Sequence, residues 1–115
     1  MRRFSQGAIG VTRGSVLMFS SFEDDGPMWS GEGARVVRRR VIFDEPFLSL
    51  PVVQVSVGMW DIDGAANQRA DISADKVTME GFDMVFRTWG DTRIARIRGE
   101  WLAIGEIGHE DDFRL

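Results

Sequence analysis

Two segments in the second half of the chain contain residue types that bind sugars. One is Asn67-Gln68-Arg69, and the other is the segment 87–92, in which Trp89 and Asp91 flank a glycine. An arginine fork binds a carboxylate or a pair of hydroxyl groups at two points, and a tryptophan ring covers an apolar sugar face. A carbohydrate site is therefore one interpretation of these segments, and salt bridges within the chain are the other.

For Arg69 the two interpretations have equal weight, because Asp61 and Asp71 are both near enough in sequence to pair with it. Trp89 has the opposite strand parity from Phe82 and Phe86, so it is expected to point outward as a stacking ring or an interface anchor. The other tryptophans are assigned in the same way: Trp101 to the core, Trp60 to the outer rim beside Asp61, and Trp29 to pinning a glycine-rich loop.

Catalytic and metal-binding interpretations are weaker. Asp61 and Asp63 form a carboxylate pair, and their loop offers oxygen ligands at alternate positions, loosely as in a calcium loop. The loop lacks the downstream glutamate of such sites, and aspartate is common in ordinary turns, so a structural turn is favoured. The only histidine is His109, in the acidic tail, and there is no cysteine. We therefore predict no enzyme activity, no metal and no cofactor.

Composition sets the remaining bounds. The 115 residues suit one domain, and the net charge of −4 disfavours nucleic-acid binding. The only basic cluster is Arg38-Arg39-Arg40, whose members alternate between faces on a strand and so predict a solvated or interface edge. No apolar run is long enough to insert in a membrane, and the first residues are too polar for a signal-peptide core. The compartment stays open, including a phage-like or other extracellular particle.

Turn signals and strand-length apolar segments predict an all-β chain with no helix. Six strands in an antiparallel sandwich or barrel are expected, at Ser15–Phe19, Arg35–Phe43, Val52–Trp60, Arg69–Val77, Phe82–Trp89 and Ile94–Ile104. Gly90-Asp91 has the chemistry of a type II′ turn, which predicts an aromatic-rich β-hairpin between the last two strands. Ala70, Ile72 and Ala74 are predicted to face inward, and residues 106–115 to form a frayed acidic tail.

Several separate positions keep one register with a known family. They are Phe43-x-x-Pro46, Pro51-Val52-Val53-x-Val55-Ser56, Asp61, Asn67-x-Arg69, Val77-x-x-x-Gly81-Phe82, Thr88-Trp89-x-x-Thr92 and Trp101-x-Ala103-Ile104. This pattern resembles the H-type lectin domain, in a bacterial or phage-type member. The resemblance covers residues 35–105 as the core, with residues 1–34 in the same domain.

The resemblance implies a six-stranded antiparallel β-sandwich that forms homotrimers. It further implies binding of galactose or N-acetylgalactosamine glycans between neighbouring protomers, and a role in cell adhesion. The family's sugar contacts fall on Arg69, Trp89, Glu32 and Gly31. A family histidine falls on Gly90 and a family tyrosine on Ala95, so Asp91 and Arg93 are candidate replacement contacts.

Two functions remain open at this stage. The first is a trimeric sugar-binding module whose partners are glycans or glycoconjugates, supported by Arg69 and Trp89. The second is a structural trimerisation module of a fibre or spike without a retained sugar site, supported by the missing histidine and tyrosine. In both cases an apolar surface must be covered, and we predict that it includes the outward side chains Val36, Ile42, Leu102 and Ile104.

Overall fold

The computed structural model describes residues 1–5, 7–21 and 26–108, which form a two-sheet β-sandwich. The elements are β1 (Ala8–Ser20), α1 (Pro27–Ser30), β2 (Arg35–Ile42), β3 (Val52–Ile62), β4 (Asp71–Asp75), β5 (Gly81–Thr88) and β6 (Ile94–Ile107). The predicted fold class and the six strands are confirmed. No helix in the described ranges has the length and apolar character needed to cross a membrane.

The strands form two antiparallel sheets of three, in the orders β1–β6–β3 and β2–β5–β4. The chain therefore changes sheet between β5 and β6, and the prediction of a hairpin at Gly90-Asp91 is wrong. Gly90 does have a positive φ of 70°, as the turn chemistry required. The turn delivers the chain to the opposite sheet, so residues 89–93 lie at one end of the sandwich.

The core lies between the two sheets. Phe82, Met84 and Phe86 of β5 are fully buried against Ile97 of β6, which confirms the inward parity predicted for β5. A second aromatic group closes the other end, where the Trp101 ring lies 5.7 Å from that of Phe43 and 5.6 Å from that of Phe82. Trp101 is thus a core residue, as predicted.

The first strand begins seven residues earlier than predicted. Residues 8–17 alternate between partly buried and exposed positions, but the inward positions include Gly10 and Gly14, so no apolar alternation marks the segment. A Cβ at Gly14 would lie 2.8 Å from the Trp101 ring of the paired strand β6. Glycine at this inward position therefore makes room for the large side chain of its partner.

The prediction of no helix is wrong at one place, and two strand boundaries differ from expectation. Helix α1 is a single turn begun by proline, too short to leave a periodic signal. Strand β4 is Asp71–Asp75, and Ala70, predicted inward, is exposed because it precedes the strand. Strand β6 continues to Ile107, so residues 106 and 107 are not tail. Residues 109–115 of the predicted tail, including His109, lie outside the described residues.

The outer face of the β2–β5–β4 sheet is a ladder of opposite charges. Arg38 lies 3.0 Å from Asp75 and 3.5 Å from Asp83, and Arg40 lies 3.3 Å from Asp83. Such exposed pairs contribute little each, but together they leave this face with few free charges. They also account for the basic cluster: Arg38 and Arg40 share this face, and Arg39 has the opposite parity.

The outer face of the β1–β6–β3 sheet is more apolar. Val11 of β1, Ile104 of β6 and Val52 of β3 lie in one cross-strand row, which we call the apolar row. Val11 is 63% and Val52 46% exposed. The outward residues predicted from the sequence do not share one face: Leu102 and Ile104 lie on this sheet, whereas Val36 and Ile42 lie on the other.

Candidate carbohydrate-binding site

Three loops meet at the end of the sandwich where β5 passes to β6. The Gly33 N–H donates to the Gly90 carbonyl over 3.0 Å, and the Asp63 N–H donates to the Arg93 carbonyl over 2.9 Å. The turn 89–93 is therefore held between the loop before β2 and the segment that joins β3 to β4. Of the predicted site residues, Arg69 lies in the β3–β4 segment and contacts the turn directly. Gly31 and Glu32 lie in the loop before β2, which contacts the turn through Gly33.

Arg69 and Asp91 form the centre of the candidate site. Arg69 Nη1 donates to Asp91 Oδ1 over 2.6 Å and to Thr92 Oγ1 over 3.2 Å. The salt bridge predicted as the alternative therefore exists, but neither proposed partner is correct, since Asp61 pairs with Arg96 and Asp71 with Arg87. The Arg69 side chain is 27% exposed and that of Asp91 is 66% exposed, so the pair opens to solvent mainly at the carboxylate.

Two buried threonines fix the segment that carries Arg69. Thr88 Oγ1 donates to the Arg69 carbonyl over 2.6 Å, and Thr92 Oγ1 donates to the Asn67 carbonyl. Thr88 is 1% and Thr92 0% exposed, so each hydroxyl satisfies a backbone carbonyl away from water. Arg69 is thus held both by its backbone and by its guanidinium.

Gly90 is constrained by both its backbone and its neighbour. Its φ of 70° lies in the left-handed region, which glycine adopts without a Cβ penalty. A Cβ here would also lie 2.8 Å from Arg69 Nη1 and 3.0 Å from Cζ. The position that the family resemblance assigns to a histidine is therefore filled by the arginine that approaches it, and a side chain there would displace Arg69.

The charge of the site follows from this packing. The hydrogen bond from Arg69 lowers the pKa of Asp91 below the ordinary value of 3.8, because the guanidinium stabilises the carboxylate. Asp91 is therefore ionised near neutral pH, and the pair has no net charge. It offers donors on Arg69 beside acceptors on Asp91, which suits a hydroxyl group that both donates and accepts.

Arg35 is a residue of this region that the sequence interpretation missed. Its guanidinium donates to four backbone carbonyls, those of Gly33, Pro27, Met28 and Gly90, over 3.0 to 3.3 Å. It therefore ties helix α1, the following loop and the turn 89–93 into one unit. The only sequence signal is its place between a glycine-rich loop and a strand, which does not reveal carbonyl partners in three segments.

Arg93 does not join the Arg69–Asp91 pair. Its Cζ lies 4.8 Å from the Trp29 ring centroid, and its Nε donates to the Trp29 carbonyl over 2.8 Å. Arg93 thus fastens helix α1 to the turn by a cation–π contact and a hydrogen bond, which agrees with the loop-pinning role predicted for Trp29. Gly31 donates its N–H to Pro27 at the end of the helix, and Glu32 is exposed.

Two exposed tryptophans lie outside these contacts. Trp89 is 47% and Trp60 54% exposed, as predicted. The outward parity holds for Trp89, whereas a register shift between Val57 and Met59 pairs Trp60 with the buried residue Ile97. Trp89 directly precedes Gly90 and follows buried Thr88, so its backbone is fixed while much of its ring is open to solvent. It is the aromatic surface nearest in sequence to Asp91.

The carboxylates at the end of β3 and just after it have structural partners. Asp61 Oδ2 accepts from Arg96 over 3.1 Å, and Asp63 Oδ1 accepts from the Ala65 N–H over 2.9 Å, the pattern of an aspartate-stabilised turn. Across residues 1–5, 7–21 and 26–108, no group of three or more acidic, histidine or cysteine side chains is arranged to hold a metal ion.

Replacement of Gly90 by alanine is expected to disturb the site. The left-handed backbone should cost about 1–2 kcal/mol of unfolding free energy, and the new Cβ should push Arg69 away from Asp91. Urea unfolding measures the first effect, and retention on a galactose column measures the second. Gly64→Ala is the matched control, because no atom lies within 4 Å of its added Cβ. Equal behaviour of the two variants would contradict this role for Gly90.

Residues 38–104, more than half of the chain, match the H-type lectin domain. The chain therefore belongs to the H-type lectin domain family, and the resemblance inferred from the sequence is confirmed.

Relatives and solved structures agree with this assignment. The chain is 49% identical over 108 residues to a Fuscovulum blasticum protein named ATP synthase subunits region ORF 7, covering 94% of each. It is 32% identical over 78 residues to discoidin-2 of Dictyostelium discoideum, covering 65% of this chain and 30% of that protein. The structure of wild-type discoidin II superposes with a TM-score of 0.76 at 25% identity, over 92% of this chain and 40% of that one.

Proposed function

We propose that this chain is a non-enzymatic lectin that binds galactose or N-acetylgalactosamine glycans as a homotrimer, at sites between neighbouring protomers. The observation that carries the proposal is the Arg69–Asp91 pair, held at 2.6 Å at the open end of a lectin-family sandwich. Adjacent sugar hydroxyls would accept from Arg69 and donate to Asp91, while Trp89 covers the apolar face of the ring.

The balance of charge in the pair favours a neutral sugar. Asp91 neutralises Arg69, so a sialic or uronic acid would meet no uncompensated cation there and would be repelled by the exposed carboxylate. Galactose and N-acetylgalactosamine carry no charge and offer adjacent hydroxyls. The family resemblance supplies the choice between these sugars and other neutral ones.

A shared site is supported by the openness of the pair. Asp91 is 66% exposed, whereas sugars and other small ligands are usually held in a concave site. A neighbouring protomer would supply the second wall. The apolar row on the β1–β6–β3 sheet supports association between copies, since contiguous exposed apolar surface marks interaction sites.

The alternative function is a structural trimerisation module without a sugar site. It is favoured by one observation: Asp91 already occupies Arg69 Nη1, so a ligand must share this nitrogen or use the other guanidinium nitrogens. Both functions use the same trimer, so binding data alone distinguish them.

A galactose–agarose column tests the proposal. We expect the purified protein to be retained and to elute with free galactose or N-acetylgalactosamine. The same concentration of glucose should not elute it, because glucose differs from galactose in the orientation of one hydroxyl. Flow-through of the protein on both galactose and N-acetylgalactosamine matrices would favour the structural module.

Binding should depend on pH only in strong acid. The pKa of Asp91 is lowered by Arg69, so the interaction is fully present above the ordinary value of 3.8 and is lost as the pH falls through the lower, folded-state pKa. We expect constant column retention from pH 7 to pH 5 and a decline only when the pH falls below the ordinary pKa of aspartate. The Asp91→Asn variant should not show this loss of retention in acid. Loss of wild-type retention with a midpoint near pH 6 would contradict the assignment of the pH dependence to Asp91.

A further inference from the structure

Two opposite charges lie on the same outer face as the apolar row. Arg13 is on β1 and Glu100 is on β6. Within residues 1–5, 7–21 and 26–108, Arg13 forms no hydrogen bond or ion pair. Glu100 contacts Arg98 of its own strand at 3.7 Å, with both side chains about half exposed. Neither charge is therefore strongly engaged within the chain.

The strand register places both charges next to the apolar row. Going along β1 from Val11, the next outward residue is Arg13, which pairs with Leu102, and the one after that is Ser15, which pairs with Glu100. Arg13 is thus one row from Val11 and Ile104, and Glu100 is two rows away. A partner that covers the apolar row also covers these charges.

The surface around Glu100 is hollow on both sides. One hollow of about 310 Å³ lies between Arg13, Gln54 and Glu100, and another of about 320 Å³ lies between Arg13, Ser15 and Glu100. Trp101 of β6 also lines both hollows. Each hollow has the size to receive a long side chain from a second molecule, and the carboxylate that lines both of them is that of Glu100.

We infer that Arg13 of one protomer forms an ion pair with Glu100 of the neighbouring protomer in the trimer. A ring of three copies uses head-to-tail contacts, in which two different patches meet at every interface, so all three pairs are equivalent. Covering either charge without a partner would be strongly unfavourable. Apolar contact has no direction and permits sliding along the strands, whereas this pair fixes one register.

The inference rests on the trimer of the proposed function but not on sugar binding. It is tested by exchanging the charges and measuring the molar mass by light scattering at micromolar concentration. We expect Arg13→Glu and Glu100→Arg each to lower the mass from three chains towards the single chain of 13.0 kDa. The double variant Arg13→Glu/Glu100→Arg should restore the trimer, because the pair is re-formed with reversed sign.

Arg39→Glu is the matched control, an identical change at an exposed position of the other sheet, and it should leave the trimer intact. Single variants that stay trimeric, or a double variant that folds but stays dissociated, would overturn the inference. A monomeric wild-type protein would overturn the pair and the trimer together, while column retention of that monomer would leave sugar binding standing.

A cross-linking experiment keeps the inference testable where a charge-exchange variant does not fold. The chain has no cysteine, so Arg13→Cys chains can be refolded together with Glu100→Cys chains and treated with a short bismaleimide. We expect a covalent pair of chains on a denaturing gel, formed in higher yield from the mixture than from either variant alone. The control is Arg39→Cys mixed with Glu100→Cys, which should not give this product. The same gel pattern from both mixtures would count against the contact.

Discussion

Arg69→Ala is expected to abolish glycan retention while leaving the trimer and the fold intact. The change removes the charged donors of the site, and a hydrogen bond to a charged group contributes about 1.5–3 kcal/mol, or roughly 10- to 150-fold in the dissociation constant of one site. Three weak sites that are each weakened by this factor should no longer hold the protein on a column.

The effect on folding should be small, because Arg69 contributes its backbone carbonyl to Thr88 in the variant as well. Light scattering and thermal unfolding measure the trimer and the fold. Arg39→Ala, at an exposed arginine of β2, is the control and should behave as wild type. Full glycan retention by Arg69→Ala would remove this residue from the site, whereas loss of the trimer would make it a structural residue.

Val11→Glu is expected to convert the trimer to single chains. Val11 is 63% exposed in one copy, so the change costs little core packing, but in an interface it places three carboxylates against apolar surface. Loss of the trimer should also lower the apparent affinity for a multivalent glycan by at least about 10²- to 10⁴-fold through lost multivalency, and it removes the neighbouring protomer's wall from each shared site. Light scattering and binding to a dense galactose surface measure the two effects.

Val36→Glu provides the matched control for this prediction. Val36 is 55% exposed and lies on the outer face of the β2–β5–β4 sheet, opposite the apolar row. The two variants therefore place the same charge on the two faces of one sandwich. A trimer that survives Val11→Glu but dissociates with Val36→Glu would assign the interface to the other sheet.

Much of the fold could be predicted because the alternation of inward and outward residues along a strand is visible in the local sequence. The inward residues Phe82, Met84 and Phe86 alternate over one strand, and burial follows that alternation. Strand β1 was underestimated because its inward glycines receive side chains from β6, and a sequence does not show which strand a glycine faces. The hairpin prediction was wrong for a related reason: a tight turn looks the same whether the next strand joins the same sheet or the opposite one.

The candidate site was less accessible to sequence interpretation. Arg69, Gly90 and Asp91 were identified, and the structure brings them together. The partner of Arg69 was not, because Asp61, Asp71 and Asp91 are equivalent choices until the loops are placed. Arg35 was missed entirely since its partners are backbone carbonyls, which have no residue signature. Pairings between distant loops depend on tertiary packing, which residue types and spacing do not specify.

A glycan array probed with wild-type protein and with Arg69→Ala tests the central claim most directly, namely that the Arg69–Asp91 pair is a working sugar site. The array presents neutral and acidic sugars together at a density that three linked sites can use. The account predicts wild-type binding to glycans that end in galactose or N-acetylgalactosamine, weak or no binding where sialic acid caps them, and no signal from Arg69→Ala. Absence of wild-type binding to every glycan, or equal binding by the two proteins, would contradict it.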